Sequence, residues 1–425
     1  MHHLFPEAPY ERSLGGGLVM RSPRDAEDVE RLASFNGHIH GPGVAAMTRA
    51  LLRDHPSMRS DYWLFVEDAR EHRVVSAMSM LPWVLRYEEI ALRAGEMGIV
   101  GTLEAYRGRG LIRLLNERFT ELLRESTFDL SHIQGIPFFY RQFGYEYAIP
   151  LEVDWRIEPH LIPERGPAGD EYRLRQATMD DVPALMRLYE QATCQLGISA
   201  ARDEAIWRYL LGPSMCTEMA AETFLALDPA GREVGYMRVA RYDFGTGLNV
   251  GETSQLTWDT ALAMLRHLKL LATERGKPYI RLNLPDDNPL VRVARCYGAH
   301  SAGAYAWQIR LLDVPALLTK VAPVLERRLA ASALGGFSSS LRLDLYRHVF
   351  DLHFEAGRLA AVRPPVSGAA GVVRLPPALL APLLLGYRSL SELTQAYHDV
   401  STGGLAPALV DVLFPRMPSF LYSIY

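Results

Sequence analysis

The feature that most constrains this chain is the stretch GTLEAYRGRGLIRLLNERF, running from Gly101 to Phe119. An extended apolar run, MGIV, leads into it, and Gly108 and Gly110 stand two apart. Leu111, Leu114, Leu115, Phe119, Leu122 and Leu123 then recur at three and four, the period of a helix packed on a core. Strand, glycine turn and helix together make an anion cradle. The first backbone N–H groups of such a helix have no partner within it, and its dipole favours a negative group by about 0.3–1 kcal/mol, up to about 2 when partly buried. Several folds share this device, so the turn alone does not name its ligand.

Composition narrows the classes. A chain of 425 residues is long enough for roughly two to four domains, and 48% hydrophobic residues allow substantial cores. A formal net charge of -4 argues against a nucleic-acid partner, which normally shows as a strongly basic domain. The start, MHHLFPEAPYERS, lacks the pattern of a secretory signal, and no apolar segment reaches the roughly 18 uncharged residues of a spanning helix. The expectation is a cytoplasmic protein with no membrane partner. Cys194, Cys216 and Cys296 are an odd number without a CxxC spacing, which predicts neither a disulfide framework nor a zinc site; they read as small buried residues.

The chain repeats itself. GLVMRSPRDAEDVERLASF and EYRLRQATMDDVPALMRLYEQ both end a short strand on an arginine, Arg21 and Arg175. Both open a helix on an Asp-Val pair, Asp28-Val29 and Asp181-Val182, with Leu32 and Leu185 three beyond the valine. EPHLIPERGPAGDE, rich in Pro, Gly and charge, lies before the second copy and reads as a linker, placing a boundary near Ile157. After residue 312 a helix and a glycine pair precede alternating SLRLDLYRHVFDLHFEAGRLAAV, in which Leu341, Leu343 and Leu345 share a face and EAGR is a hairpin turn. This third region reads as a small α+β unit. Its tail, FPRMPSFLYSIY, carries Phe414, Phe420, Tyr422 and Tyr425 and is expected to dock on the body of the protein.

Three ligands compete for the cradle. A nucleotide loop of the GxxxxGK[ST] type is absent. A dinucleotide fingerprint, G-x-G-x-x-G, matches at Gly108 and Gly110, with Asp129 at the distance of a ribose-binding acid, but Arg113 stands where the third glycine must allow close packing. The third is the pyrophosphate of acetyl-CoA. YRGRGLIRLL resembles the R-x-x-G-x-G/A segment of GNAT-type N-acetyltransferases, with Arg107 first and Gly110 fourth. Ile112 replaces the last small residue, as in the enhanced-intracellular-survival (Eis) branch of that family. GIPFFYRQFGYEY, about 30 residues on, is similar to the FYxxFGY element of the same enzymes.

The resemblance implies an α/β (α+β) fold: a catalytic GNAT domain over 1–156, a degenerate GNAT-like domain over 157–312, and a sterol-carrier-protein-like domain with the tail over 313–425. It implies acetyl-CoA as co-substrate, held by Val100, Gly101 and Thr102 of the strand, by Arg107, Gly108, Arg109, Gly110, Leu111, Ile112 and Arg113 of the turn, and by Gly135 and Ile136. Tyr140 takes the place of the family's general acid, the carboxylate of Tyr425 that of the base, and Glu96 on the cofactor strand is the runner-up. No metal is implied. The expected acceptor is a small or peptidyl amine, and the expected assembly a homo-oligomer, a hexamer by resemblance. In the second copy, GETSQLTWDTALAML lacks a glycine pair and Ala294 stands where Tyr140 does, so that copy is expected to be inert. A silent CoA-binding regulator and a lipid carrier acting through the last region are the alternatives. His38 and His40 in GHIHGPG read as a loop near the acceptor rather than a metal site, and Asp129, Ser131 and His132 lie too close along one strand to form a triad.

Overall fold

Two matching ion pairs show why the sequence repeats. Arg21 donates through both terminal nitrogens to the two oxygens of Asp28, and Arg175 does the same to Asp181, at 2.5–2.7 Å in each case. Such two-toothed pairs fix geometry as well as charge. Each locks the end of a strand to the first turn of the helix that follows it. The first is buried and shares Arg21 with Glu67; the second lies nearer the surface.

The computed structural model describes residues 5, 9–164, 171–242 and 245–425, so residues 165–170 in the second half of the expected linker lie outside the described residues. The first half comprises β1 (Glu11–Gly15), β2 (Leu18–Arg21), α1 (Ala26–His40), α2 (Pro42–Asp54), β3 (Trp63–Asp68), β4 (Arg73–Tyr87), β5 (Ile90–Thr102), α3 (Leu111–Glu125), β6 (Leu130–Ile133) and β7 (Glu146–Ile157). The second comprises β8 (Arg173–Gln176), α4 (Val182–Thr193), β9 (Ile198–Ala200), α5 (Glu204–Leu211), β10 (Ala221–Leu227), β11 (Glu233–Ala240), β12 (Leu248–Thr253), α6 (Trp258–Glu274), β13 (Ile280–Asn283), α7 (Pro289–Cys296) and β14 (His300–Leu311). The remainder holds α8 (Val314–Lys320), α9 (Ala322–Ala330), β15 (Ser339–Asp344), β16 (Val349–Glu355), β17 (Arg358–Arg363), β18 (Gly371–Arg374), α10 (Leu380–Leu384), α11 (Leu390–Ala396), β19 (Ser401–Gly404) and α12 (Ala406–Leu413). No helix among the described residues is long and apolar enough to cross a membrane.

The strands form two mixed sheets, and the larger one crosses the repeat. Its order is β1-β2-β3-β4-β5-β6-β14-β7-β13-β12-β11-β10-β8, with β9 on the far end of β4. The last strands of the two halves are therefore exchanged. β14 sits between β6 and β7, and β7 sits between β14 and β13, so the sheet passes residue 157 without a break. The smaller sheet, β17-β16-β15-β18-β19, is capped by α9 and α12. Leu341 and Leu343 are buried on one of its faces, and the β16–β17 hairpin turns through Ala356 (φ 49) and Gly357 (φ 82), the paired positive angles that a tight hairpin needs.

After α12 the tail crosses the whole molecule. Met417 N–H bonds to Gly386 O at 3.0 Å, Gly197 N–H to Pro418 O at 2.6 Å, and Phe420 N–H to Ile198 O at 3.0 Å. All four aromatics expected to dock are buried. Each such ring removes on the order of 150–250 Å² from water, roughly 4–6 kcal/mol at 25 cal/mol per Å² before the entropy of ordering the chain.

Two expectations need correction. The three cysteines are exposed, because each falls at the solvent-facing end of a helical segment: Cys194 after α4, Cys216 at the end of a short 3-10 turn, Cys296 at the last position of α7. His38 and His40 belong to the last turn of α1 and not to a loop. Gly37 does not break that helix; a Cβ there would lie 2.9 Å from the Cβ of Ala45, so the glycine lets α1 and α2 pack closely.

Candidate active site

The site begins where strand pairing fails. β4 and β5 run antiparallel until their register slips between Ala77 and Ser79, opposite Ile99, which takes φ 48. A β-branched residue rarely adopts that angle, and bulges of this sort re-aim a strand. On its other edge β5 pairs in parallel with β6 only through Ala94, Gly95 and Glu96, opposite Leu130, Ser131 and His132. β5 continues to Thr102 while β6 stops at Ile133, so the two strands part beyond Glu96. The edge of β5 past that point offers backbone groups to an extended ligand.

The glycine turn lies at the open end of this split. Gly108 (φ 76) and Gly110 (φ 74) both take left-handed angles. Gly110 caps α3 with no side-chain hydrogen bond, and the first turn of α3 holds no acid, so its N–H groups remain free for a ligand. A Cβ at either glycine would meet open space; the cost of a side chain there comes from the backbone angle.

A cavity of about 600 Å³ joins strand and turn. Val100, Gly101, Thr102, Arg107, Gly108, Gly110, Leu111, Ile112, Arg113 and Ile136 line it, and so does Tyr140. Arg109 does not: its guanidinium lies over the ring of Tyr106, 4.6 Å from the centroid, and donates to Ala105 O. Gly135 does not either. A Cβ there would fall 2.3 Å from the Tyr140 ring, so this glycine makes room for that ring, and its carbonyl accepts from Tyr305 and Gln308. Tyr140 itself sits in the 3-10 turn Phe139–Phe143, against Phe139 and Tyr145. Burial pushes its phenol up to about 12, which keeps it protonated, and its hydroxyl has no hydrogen-bond partner among the described residues.

Tyr425 meets the base of the split rather than that cavity. Its phenol donates to Glu96 Oε1 at 2.8 Å, and Trp83 Nε1 donates to Glu96 Oε2 at 2.8 Å. The Trp83 ring packs edge-on against His132 and Tyr425. Glu96 is therefore no solvated strand glutamate. Burial pushes it up to about 8, with no cation to oppose the shift, and burial holds His132 down at about 3, neutral at physiological pH. The main-chain oxygen of Tyr425 accepts from Ser423 Oγ at 2.6 Å, while Arg202 binds the Ser423 carbonyl.

Ser423 also lines a second cavity, of about 230 Å³, that nothing in the sequence pattern announces. Trp83 and Gln134 of the first half and Trp307 of the exchanged strand β14 form one wall; Glu218, Arg238, Glu252 and Arg281 also come from the second half and Glu152 from β7. Gln134 lies two residues before Ile136 of the larger cavity. Glu252 is held in its charged form: burial opposes this, but the Arg202 charge and hydrogen bonds at 2.6 and 2.7 Å outweigh it. Residues from both halves and the tail converge here only because the strands are exchanged, a long-range pairing without a local signature.

Residues 48–148 match the family described as acetyltransferase (GNAT) domain. In sequence, no curated protein matches the chain. Solved structures similar in fold include a GCN5-related N-acetyltransferase from Anabaena variabilis (16% identity, TM-score 0.68, covering 95% of this chain and 99% of that one). Another is a GCN5-related N-acetyltransferase from Kribbella flavida (18%, TM-score 0.67, 96% and 99%). A third is Eis1 from Mycobacterium abscessus (19%, TM-score 0.61, 95% and 99%). At these identities the likeness is one of fold, and it extends over nearly the whole chain. The protein thus carries an acetyltransferase domain of the GNAT type, set in a fold that it shares with GNAT proteins, and it is an enzyme of the acyltransferase class.

Proposed function

We propose that this protein transfers an acetyl group from acetyl-CoA to a primary amine, with Tyr140 as the general acid and the terminal carboxylate of Tyr425 as the base. One observation carries the reading: a single cavity of about 600 Å³ gathers the parted strand, the uncapped helix N-terminus and the Tyr140 phenol. Val100 to Thr102 would pair with the pantetheine arm, and the turn from Arg107 to Arg113 would hold the pyrophosphate. Acetyl-CoA supplies an activated thioester. Tyr140, kept protonated by burial, gives its proton to the departing thiolate as the C–S bond breaks and the C–N bond forms.

The amine must first lose a proton. From a pKa of about 10.4 to neutral pH this costs roughly 4–5 kcal/mol if borne by equilibrium alone. The Tyr425 carboxylate is the group we assign to it, because Ser423, which binds one of its oxygens, lines the smaller cavity. Glu96 is a poor base: it is buried, and both of its oxygens are already hydrogen-bonded. Residues 313–425, which we read as sterol-carrier-protein-like, serve here to deliver the tail.

The test is a thiol-release assay against polyamines, aminoglycosides and lysine-containing peptides. Amine-dependent release by the parent and its near loss in Tyr140→Phe, with acetyl-CoA affinity retained, is the expected result. A folded, acetyl-CoA-binding protein that releases no thiol with any amine contradicts it. A short glycine extension past Tyr425 isolates the base, since it moves the charge and keeps the aromatic anchors; parent turnover across pH 6 to 9 would remove the carboxylate from the mechanism.

A further inference from the structure

The smaller cavity is lined by two groups of opposite charge, one only partly paired and the other without a partner among the described residues. Arg238, on β11, is buried, and only its Nη1 reaches a carboxylate, Glu252 Oε2, at a long 3.5 Å. Its Nε and Nη2 have no acceptor among the described residues. Those two nitrogens form one edge of the guanidinium plane, the edge that takes a carboxylate in a two-toothed grip. Leaving a buried charged donor unpaired is costly, so an edge of this kind is a standing demand for an anion.

Glu218 is the counterpart. It lines the same cavity and has neither an ion-pair nor a hydrogen-bond partner among the described residues. Partial burial raises its pKa. It also lies toward the reacting end: a Cβ at Gly43 would fall 2.8 Å from the Glu218 Cβ, and the same α1–α2 junction presses Ile39 and His40 against Gly101 of the split strand. Ser423, with the Tyr425 main-chain oxygen it binds, is on the wall as well.

We propose that this cavity is the acceptor site and that its occupant is a small zwitterion, an amino acid or close analogue, whose carboxylate docks on Arg238 while its amine lies at Glu218 and the chain terminus. This inference rests on the acetyl-transfer reading above and adds the class of acceptor. Size agrees with it. At about 230 Å³ the cavity holds the volume of roughly eight waters, below the range of about 300–1,000 Å³ typical for drug-sized ligands. Nε and Nη2 are closed to water in this structure, so binding there requires the cavity wall to shift for a carboxylate to reach them. The second half, silent as a cradle, would then select the acceptor.

The experiment compares acceptors matched in everything but the carboxylate: lysine, ornithine and leucine, each as the amino acid, its carboxamide and the decarboxylated amine. Thiol release gives kcat/KM for each. The expected result is that in at least one set the amino acid exceeds its carboxamide by about 10- to 100-fold, the usual worth of a hydrogen-bonded charge pair. Arg238→Met, and Arg238→Lys, which keeps the charge but not the edge, should bring the amino acid down to the level of its amide. Acetyl-CoA affinity, measured by calorimetry, should stay at the parent value. Carboxamides or plain amines equal to the amino acids in every set overturn the inference with no variant needed, as does an Arg238→Met protein that keeps the preference. Turnover of polyamines with none of these acids overturns the inference alone; no thiol release with any amine overturns the acetyl-transfer reading beneath it as well.

Discussion

The two halves place a helix behind a strand in the same way and treat its N-terminus in opposite ways. In the first, α3 starts on Gly110 with no side-chain cap and no acid in its first turn. In the second, α6 starts on Thr257, whose hydroxyl accepts from Thr260 N–H at 3.2 Å, and Asp259 answers the helix dipole. One terminus is left unsatisfied, as a ligand site requires; the other is closed by its own side chains. The buried acids diverge likewise. Glu96 has no cation beside it and sits at about 8, whereas Glu252 is held in its charged form by Arg202. An anion cradle is thus made as much by withholding a cap as by adding glycine.

The chemical end of the first half carries the greatest loss. Tyr140→Phe should lower turnover by about 10²–10⁴-fold, the usual span for a general acid, with little change in acetyl-CoA affinity. An equal loss of affinity would mean that the phenol binds and does not catalyse. Gly110→Val comes next. A β-branched residue at φ 74 strains the turn by roughly 1–2 kcal/mol and puts methyl groups into the cradle, so calorimetry should show acetyl-CoA affinity down by about tenfold or more.

Glu96 sharpens the contrast between the two acids. Its folded pKa is raised, so the stability it lends is full below its ordinary value of 4.5 and is lost as pH rises toward about 8. Denaturant unfolding at a series of pH values should show the parent losing stability relative to Glu96→Gln across that window. Parallel curves would show that Glu96 does not titrate there. The smallest effect lies in the second half: Thr257→Ala should cost about 1 kcal/mol of stability, the usual worth of a cap, and leave acetyl-CoA binding as it was.

What the sequence made legible was local. The turn announced itself because only glycine holds φ 74–76 cheaply. Ala294 could be set against Tyr140 because Gly144 (φ 84) and Gly298 (φ 97) each end a helical turn before a last strand. The tail was readable from the apolar rings it could not leave in water. Long-range pairing was not legible. Nothing within β7 or β14 says that each will pair with strands of the other half, since a strand's alternation states which face is buried and not which neighbour it meets. The burial of Glu96 was hidden for the same reason: part of its cover is Tyr425, 329 residues away. GHIHGPG read as a loop because the reason for Gly37 to be glycine, Ala45, lies on another helix.

Only the first half is expected to hold acetyl-CoA, and calorimetric titration of the intact protein decides the matter. The predicted result is one acetyl-CoA per chain, weakened by Gly110→Val and indifferent to Thr257→Ala. A stoichiometry of two, or a single site that survives Gly110→Val at parent affinity, would contradict it.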